Sequence, residues 1–270
     1  MKFIRNSAVL VVLFFLLDIL RYFILPDVSS LEGTNPEKTA FMEYRQKAWK
    51  NAGWADRRVS YEWVPLQKIS GNLLKAVLIA EDDKFWQHDG FDYEAMERAL
   101  EKNLKERKIT MGGSTISQQL AKNLWLSPSK NPIRKLKEAI LTWRIEQALS
   151  KKRILEIYLN VAEWGDGIFG IEAAARHYYG TSAAGLTAVQ ASRLAAVLPN
   201  PIRWSPTGGT RYVRNRSAII YRVMVRRGIV LPGYREMTGR EPDAVSVDTL
   251  KRGVPEFLID QALWPERKAP

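Results

Sequence analysis

The sequence predicts a mainly α-helical domain behind one apolar N-terminal helix, and three observations carry that prediction. From residue 40 onward, apolar residues recur at helical rather than alternating spacing. Capping residues, prolines and glycines punctuate the chain where such helices would start and stop. Strand signals are scarce, confined to residues 59–64. Composition agrees: 46% of the 270 residues are hydrophobic and 26% charged, with nine Trp, which supports a packed core and excludes intrinsic disorder.

Taken in order, residues 1–6 form a short tail carrying Lys2 and Arg5, ahead of an apolar run over 7–25. Ala8 to Leu25 would span about 27 Å as a helix, enough to cross a bilayer core. Asp18 and Arg21 interrupt the run three residues apart, so they share a helix face and can pair. No small-residue cleavage site follows where a signal peptide would end, which favours an uncleaved anchor. The cations before the span predict a cytoplasmic N-terminus and a domain on the outer side. Residues 26–40, with Glu32, Gly33, Asn35 and Pro36, read as a polar linker. The domain proper is expected over 41–228, and residues 229–270 carry no usable pattern.

Within the domain, Leu73 to Ala80 is an apolar helix running into Glu81, Asp82 and Asp83. Asp92 opens another, with Tyr93, Met96 and Leu100 on one side, and Ser114 to Leu126 makes a third. Asn131 followed by Pro132 is an N-cap with proline at the first helical position. Ile133, Leu136, Ile140 and Trp143 then predict one buried stripe. Ser150 caps a helix through Leu159, and Gly180 stops one from Ile171 to Tyr179. Thr187 and Gln190 form a capping box opening a helix that ends at Pro199, and Arg211 to Arg227 is the last.

The 41 Lys+Arg outnumber the 29 Asp+Glu for a net charge of +12, which calls for an anionic partner. Absence of Cys removes disulfides, thiolate zinc sites and Cys nucleophiles, and two His leave little for a zinc site. No glycine-rich fingerprint for a dinucleotide or a nucleoside triphosphate occurs.

Three segments carry chemistry. Glu81 ends an apolar helix, where the dipole and apolar neighbours disfavour a charged carboxylate and suit it to proton transfer. The bland reading is a solvated acidic helix end. Gly112 and Gly113 lead into a helix bearing Ser114, Thr115, Gln118, Gln119, Lys122 and Asn123, a row of donors beside an apolar face. That row reads as a surface for sugar and phosphate, against an ordinary amphipathic helix. Arg134, Lys135 and Glu138 converge within one turn, with the cations gathered at an already positive helix end. An anion such as a diphosphate explains that order better than a stabilising salt bridge does. Two separated carboxylates, one beside donors and one beside cations, fit sugar transfer.

These segments occur in one order as Glu81-Asp82-x-x-Phe85-x-x-His88-x-Gly90, then Gly112 to Asn123, then Arg134-Lys135-x-x-Glu138, then Lys151 to Asn160 with Glu156 and Tyr158, and finally Ala195 to Pro201. Together they closely resemble the peptidoglycan glycosyltransferase family, in its monofunctional biosynthetic form. The resemblance implies a lysozyme-like, mainly α domain with a larger lobe and a smaller membrane-proximal lobe. It implies polymerisation of lipid II at the outer face of the inner membrane, and a divalent metal, Mg2+ or Mn2+, at the diphosphate. Glu81 would be the general base on the acceptor's GlcNAc 4-hydroxyl. Glu138 would hold the metal or orient the donor diphosphate. Lys122, Arg134 and Lys135 would neutralise the departing diphosphate, and Ser114, Thr115, Gln118, Gln119 and Asn123 would bind sugar or phosphate. Asp82, Phe85 and His88 would support the Glu81 loop, with Glu156, Tyr158 and Asn160 structural or supporting. The implied partners are lipid II, the nascent glycan strand, inner-membrane lipid and cell-division or elongation proteins, without nucleic acid. The chain departs from the family after Asn160, where it reads Val-Ala-Glu163-Trp164-Gly-Asp-Gly, and Ser117 stands where Thr is common.

Two rivals stay open at this level. A lysozyme-like hydrolase shares the carboxylate and the cleft but has no anionic leaving group for the cations to stabilise. A non-catalytic glycan-binding scaffold is the other, against which the pair of Glu81 and Glu138 argues.

Overall fold

The computed structural model describes residues 16–106, 112–129 and 131–229, together with Asn6, Leu10, Leu13 and Phe14. Expectations for the rest of the tail, for much of the first half of the apolar run and for 230–270 lie outside the described residues.

Capping chemistry sets most helix boundaries. Helix α1 (Ala40–Asn51) starts where the Thr39 hydroxyl accepts from Met42 N. It is followed by β1 (Ser60–Tyr61), α2 (Gly71–Glu81) and α3 (Tyr93–Glu106). Helix α4 (Ile116–Trp125) opens on a reciprocal capping box between Thr115 and Gln118. Helix α5 (Pro132–Ala148) has the expected Asn131 cap and first-position proline, and α6 (Lys151–Val161) the expected Ser150 cap. After β2 (Glu163–Gly165) and β3 (Ile168–Phe169) comes α7 (Ile171–Tyr179), stopped by Gly180 at φ +62°. The box of Thr187 and Gln190 opens α8 (Ala188–Val197), and Thr210 caps α9 (Arg211–Arg226).

The described chain is thus mainly α. Helix α2 packs on α8 and α9, and α4 packs on α5 and α6. Ala191, Ala195 and Ala196 of α8 keep its surface low, so Leu73, Val77 and Ala80 of α2 and Ile220 and Met224 of α9 close around it without exposure. Ile116 and Leu120 of α4, Leu141 and Ile145 of α5, and Leu155 and Tyr158 of α6 continue the same core. Each fully buried Leu or Ile contributes about 1.5–3 kcal/mol. The C-terminal end of α2 is thereby brought to α4, where Gln119 meets Glu81.

Several expectations need correction. The strand expected over 59–64 shrinks to Ser60–Tyr61, which pairs parallel with β3, and β2 pairs antiparallel on the other side of β3. A two-residue strand is too short to show alternation. Ile133, Leu136 and Trp143 are not a buried stripe: they are 37%, 48% and 50% exposed, and only Ile140 is covered. Helix α5 turns Leu141 and Ile145 inward instead, and periodicity alone cannot say which apolar face meets the core. Residues 26–40 pack on the domain rather than hanging as a linker. Val28 and Leu31 are buried, and the Arg153 guanidinium donates to Leu31 O at 2.7 Å and Thr34 O at 2.9 Å.

In the apolar N-terminal run, residues 16–20 are helical, and Asp18 and Arg21 form the pair their spacing predicts, at 2.9 Å. No helix among the described residues is long and apolar enough to cross a membrane. Leu10, Phe14, Leu17, Leu20 and Ile24 are nonetheless each at least half exposed.

Gly170 joins β3 to α7 at φ +81°, where a Cβ would lie 2.7 Å from the Asn160 carbonyl oxygen. Backbone on both sides leaves no side chain to yield. Gly170→Ala is expected to cost about 3 kcal/mol or more, read from the shift of a chemical denaturation midpoint.

Candidate active site

Glu81 is the last residue of α2, where the chain leaves the core beside α4 and α9. Its side chain is 10% exposed. Gln119 Nε2 donates to Oε2 at 3.0 Å, and Arg216 Nη2 donates to Oε1 at 3.2 Å and to Ala80 O at 3.0 Å. Burial raises the carboxyl above its usual range, while Arg216, Gln119 and Lys122 pull it back. A hollow beside it is lined by Asp83, Asp92, Arg98 and Ser114 along with Glu81 itself.

Gln119 acts on Glu81 rather than presenting its amide outward. Its Oε1 accepts from Tyr158 OH at 3.0 Å, so Tyr158, Gln119 and Glu81 form a chain that fixes both the amide's orientation and the carboxylate. Thr115 and Gln118 are also corrected: both are buried, and their polar atoms close the capping box, with Thr115 Oγ1 donating to Gly90 O at 2.7 Å. Asn123 is buried as well. A capping box and a donor row look alike in sequence, and here the box accounts for Thr115 and Gln118.

The loop after Glu81 is held by Asp82, His88 and Phe85. Asp82 accepts from Ile116 N at 2.9 Å, placing its charge at the positive start of α4. His88 Nε2 meets its other oxygen at 2.8 Å, and Gly90 N donates to His88 Nδ1 at 3.1 Å, so the His88 proton sits on Nε2 and is donated to Asp82. Phe85 is fully buried under the Lys151 ammonium, 4.6 Å from the ring centre. Glu156 accepts from Leu66 N, and Asn160 exchanges two hydrogen bonds with Val64, at 2.8 and 2.9 Å. Both side chains bond to backbone of residues 64–66.

Lys122 is the next residue on this face of α4, three positions after Gln119. Among the described residues its ammonium has no hydrogen-bonded acceptor, and it sits 5.5 Å over the Phe41 ring. Burial lowers its pKa, and Glu138 and Glu81 on either side hold it up. On α5, Glu138 is buried and both its oxygens are taken, Oε2 by Arg134 Nη1 at 2.6 Å and Oε1 by Lys135 Nζ. Lys135 also donates to Ser114 Oγ at 3.2 Å, which ties the start of α5 to the loop before α4. Lys122, Arg134 and Lys135 thus form one cationic bank, with Glu138 as its internal counter-charge.

The donor set does not fit a metal ion held by this chain. Glu138 spends both oxygens on cations, and no cluster of three His, Asp or Glu occurs among the described residues. Metal ligation is therefore removed from the Glu138 role.

Sequence reasoning missed Arg216 and Arg227. Both lie on or just after α9, and Arg227 grips Asp83 through Nη1 at 2.5 Å and Nη2 at 2.9 Å. Two arginines of one helix so clamp both ends of the acidic turn. They stand more than 130 residues from it, and no local pattern signals them. Arg216 Nε is buried without a partner among the described residues. Removing that cation leaves burial less opposed, so Arg216→Gln should raise the Glu81 carboxyl further. A base must be ionised to act, so the acid limb of kcat/KM is expected to move to higher pH, and Arg216→Lys to restore part of it. Lost activity with an unmoved limb would leave Arg216 a packing role only.

The unexplained segment after Asn160 is a clamp. Arg45 donates to both Glu163 oxygens at 2.8 and 2.9 Å, and Asp166 accepts from Trp49 Nε1 and Arg57 Nη1 at 3.1 and 2.6 Å. It seats α1, and with it Phe41, against α4.

Residues 48–225 match the family model described as Transglycosylase. Curated relatives carrying the name biosynthetic peptidoglycan transglycosylase are similar over most of their length. That of Methylobacillus flagellatus is 55% identical over 62% of this chain and 72% of its own. That of Aromatoleum aromaticum is 53% identical over 69% and 83%, and that of Laribacter hongkongensis 45% over 82% and 95%.

Proposed function

The chain belongs to the transglycosylase family as a peptidoglycan glycosyltransferase that polymerises glycan strands in cell-wall synthesis, and we propose that Glu81 is its general base and the bank of Lys122, Arg134 and Lys135 its leaving-group site. In this reading Glu81 takes the proton of the GlcNAc 4-hydroxyl of lipid II as that oxygen attacks C1 of the growing strand. The C–O bond to undecaprenyl diphosphate breaks on the opposite face, giving a β-1,4 bond with inversion. The cations meet the charge that develops on the diphosphate.

The observation that carries the reading is the pairing of a buried, proton-ready carboxylate with a desolvated ammonium that has no acceptor among the described residues. A hydrolase of neutral glycosidic bonds has no use for Lys122 in that state. Glu138 serves by holding Arg134 and Lys135 in place. Gln119, Thr115 and Gln118 act on the protein, which leaves Ser114, whose hydroxyl accepts from Lys135 at 3.2 Å, beside the cations.

The lysozyme-like arrangement of a larger lobe and a membrane-proximal lobe belongs to the same proposal, as does one inner-membrane anchor over 7–25 with the domain in the periplasm. The exposed apolar residues of the N-terminal run support it, as do Tyr93, Leu100 and Leu104 along α3, each more than 60% exposed. Contact with division or elongation proteins is proposed on the family's role alone.

The test is incubation of the detergent-solubilised chain with fluorescent lipid II, products resolved by gel. A ladder that lysozyme digests is expected. Fragment release from purified sacculi without a ladder would instead assign a hydrolase.

A further inference from the structure

Ala195 to Pro201 lead out of α8 into a tight turn, and that turn places an aromatic ring against α9. Asn200 N donates to Val197 O at 3.0 Å, and Asn200 O accepts from Trp204 N at 3.1 Å. The Asn200 side chain accepts from Arg203 N at 3.2 Å. The Trp204 ring so held lies flat on Tyr212, with ring centres 3.7 Å apart and planes 16° from parallel. Both residues are half-buried, and among the described residues neither packs on the hydrophobic core. The pair therefore does not extend the core, and its contacts at the site decide its role.

Tyr212 and Arg216 stand four residues apart on α9 and share a face. Arg216 reaches Glu81 Oε1 at 3.2 Å and Ala80 O at 3.0 Å, both through Nη2. Its Nε is buried with no partner among the described residues, so that nitrogen does not help to fix the guanidinium. The Tyr212 hydroxyl flanks it instead. Burial raises the phenol pKa, the charge of Arg216 lowers it, Glu81 raises it, and a hydrogen bond with Arg216 lowers it again. Phenol, guanidinium and carboxylate thus face one another. A long arginine side chain keeps several rotamers unless its neighbours exclude them. A phenol locked flat against an indole is such a neighbour.

We propose that Trp204 and Tyr212 are positioning residues: the stacked pair holds the Arg216 guanidinium on Glu81, which keeps the carboxylate available as base. It rests on the polymerase reading, with Glu81 as that base. Both rings act through Arg216 and move no proton themselves. The other charged or titratable groups facing Glu81 are Lys122 of α4, Tyr158 of α6, and Asp82, Asp83, Asp92 and Arg98 around the adjoining hollow. The substitutions below leave all of them in place.

The test follows kcat/KM for lipid II against pH, with the full-length chain in detergent. Tyr212→Phe keeps the stack and loses the hydroxyl. Its acid limb is expected about half a pH unit higher, an activity loss of about threefold on the acid side that shrinks as pH rises past the limb. Trp204→Leu frees the phenol and should move the limb the same way, and Trp204→Phe keeps a ring to stack on and should restore it. On an Arg216→Gln background neither Tyr212→Phe nor Trp204→Leu should move the limb further, because the group they act through is gone. Unmoved limbs in Tyr212→Phe and Trp204→Leu overturn the proposal, whatever happens to the denaturation midpoint. A shift to lower pH, or one that persists in full on the Arg216→Gln background, overturns it as well. If Glu81→Gln keeps the wild-type limb, the base reading fails instead. An NMR titration of the Glu81 carboxyl in wild type and Tyr212→Phe then still decides the pair: a higher midpoint in the variant supports it, and an equal one overturns it.

Discussion

Glu81→Gln is expected to lower turnover about 10²–10⁴-fold, the contribution of a positioned general base, with the apparent KM for lipid II close to wild type. The amide keeps the shape of the side chain, and its one oxygen can still accept from Arg216 or from Gln119, which in the wild type meet different carboxylate oxygens. What disappears is the proton acceptor. The effect therefore falls on kcat, since binding of the ground-state hydroxyl does not require the charge. Activity near wild type in this variant would remove Glu81 from the role of base, whatever else the site retained.

Lys122→Met should be nearly as damaging to activity and harmless to the fold. Its ammonium is desolvated and carries no hydrogen-bonded acceptor among the described residues, and its depressed pKa records the cost of keeping it charged there. A thioether of similar length removes that cost, so the variant is expected to unfold at the same or a higher denaturant concentration. Loss of one leaving-group cation is worth about 10²–10³ in rate, and the donor's apparent KM should rise with it. The opposite signs of the two effects are diagnostic of a residue kept for function. Arg134 offers no such clean reading, because its guanidinium also neutralises buried Glu138 and donates to Ser129 O at 2.5 Å. A Lys122→Met chain that lost stability and activity together would point to a structural ammonium.

Much of this was legible in the sequence. Caps at Asn131, Ser150 and Thr187 fixed helix starts because capping is local chemistry, and the spacing of Asp18 and Arg21 foretold their pair. Glu81, Lys122, Arg134, Lys135 and Glu138 lie in short segments whose order carries the family, and the structure gathers the last four into one bank with Lys122 acting on Glu81 as well. The roles of individual donors were not legible. Thr115 and Gln118 sit in a segment rich in hydrogen-bonding groups, and only tertiary contacts show that theirs are spent on the α4 cap. Gln119 reads as a ligand until α6 brings Tyr158 against it. Arg216 and Arg227 depend on α9 folding back across α2, a contact of long sequence separation that no periodicity encodes. The exposed stripe of Ile133, Leu136 and Trp143 failed for a related reason: amphipathicity marks an apolar face without naming what covers it.

The most direct test of the central claim is single-turnover coupling of two lipid II molecules, followed across pH for wild type and Glu81→Gln. The account predicts an acid limb in the wild type, set by ionisation of a carboxyl raised by burial. It predicts that the residual rate of Glu81→Gln shows no such limb. The same limb in both proteins would contradict it, because the titrating base would then be some other group.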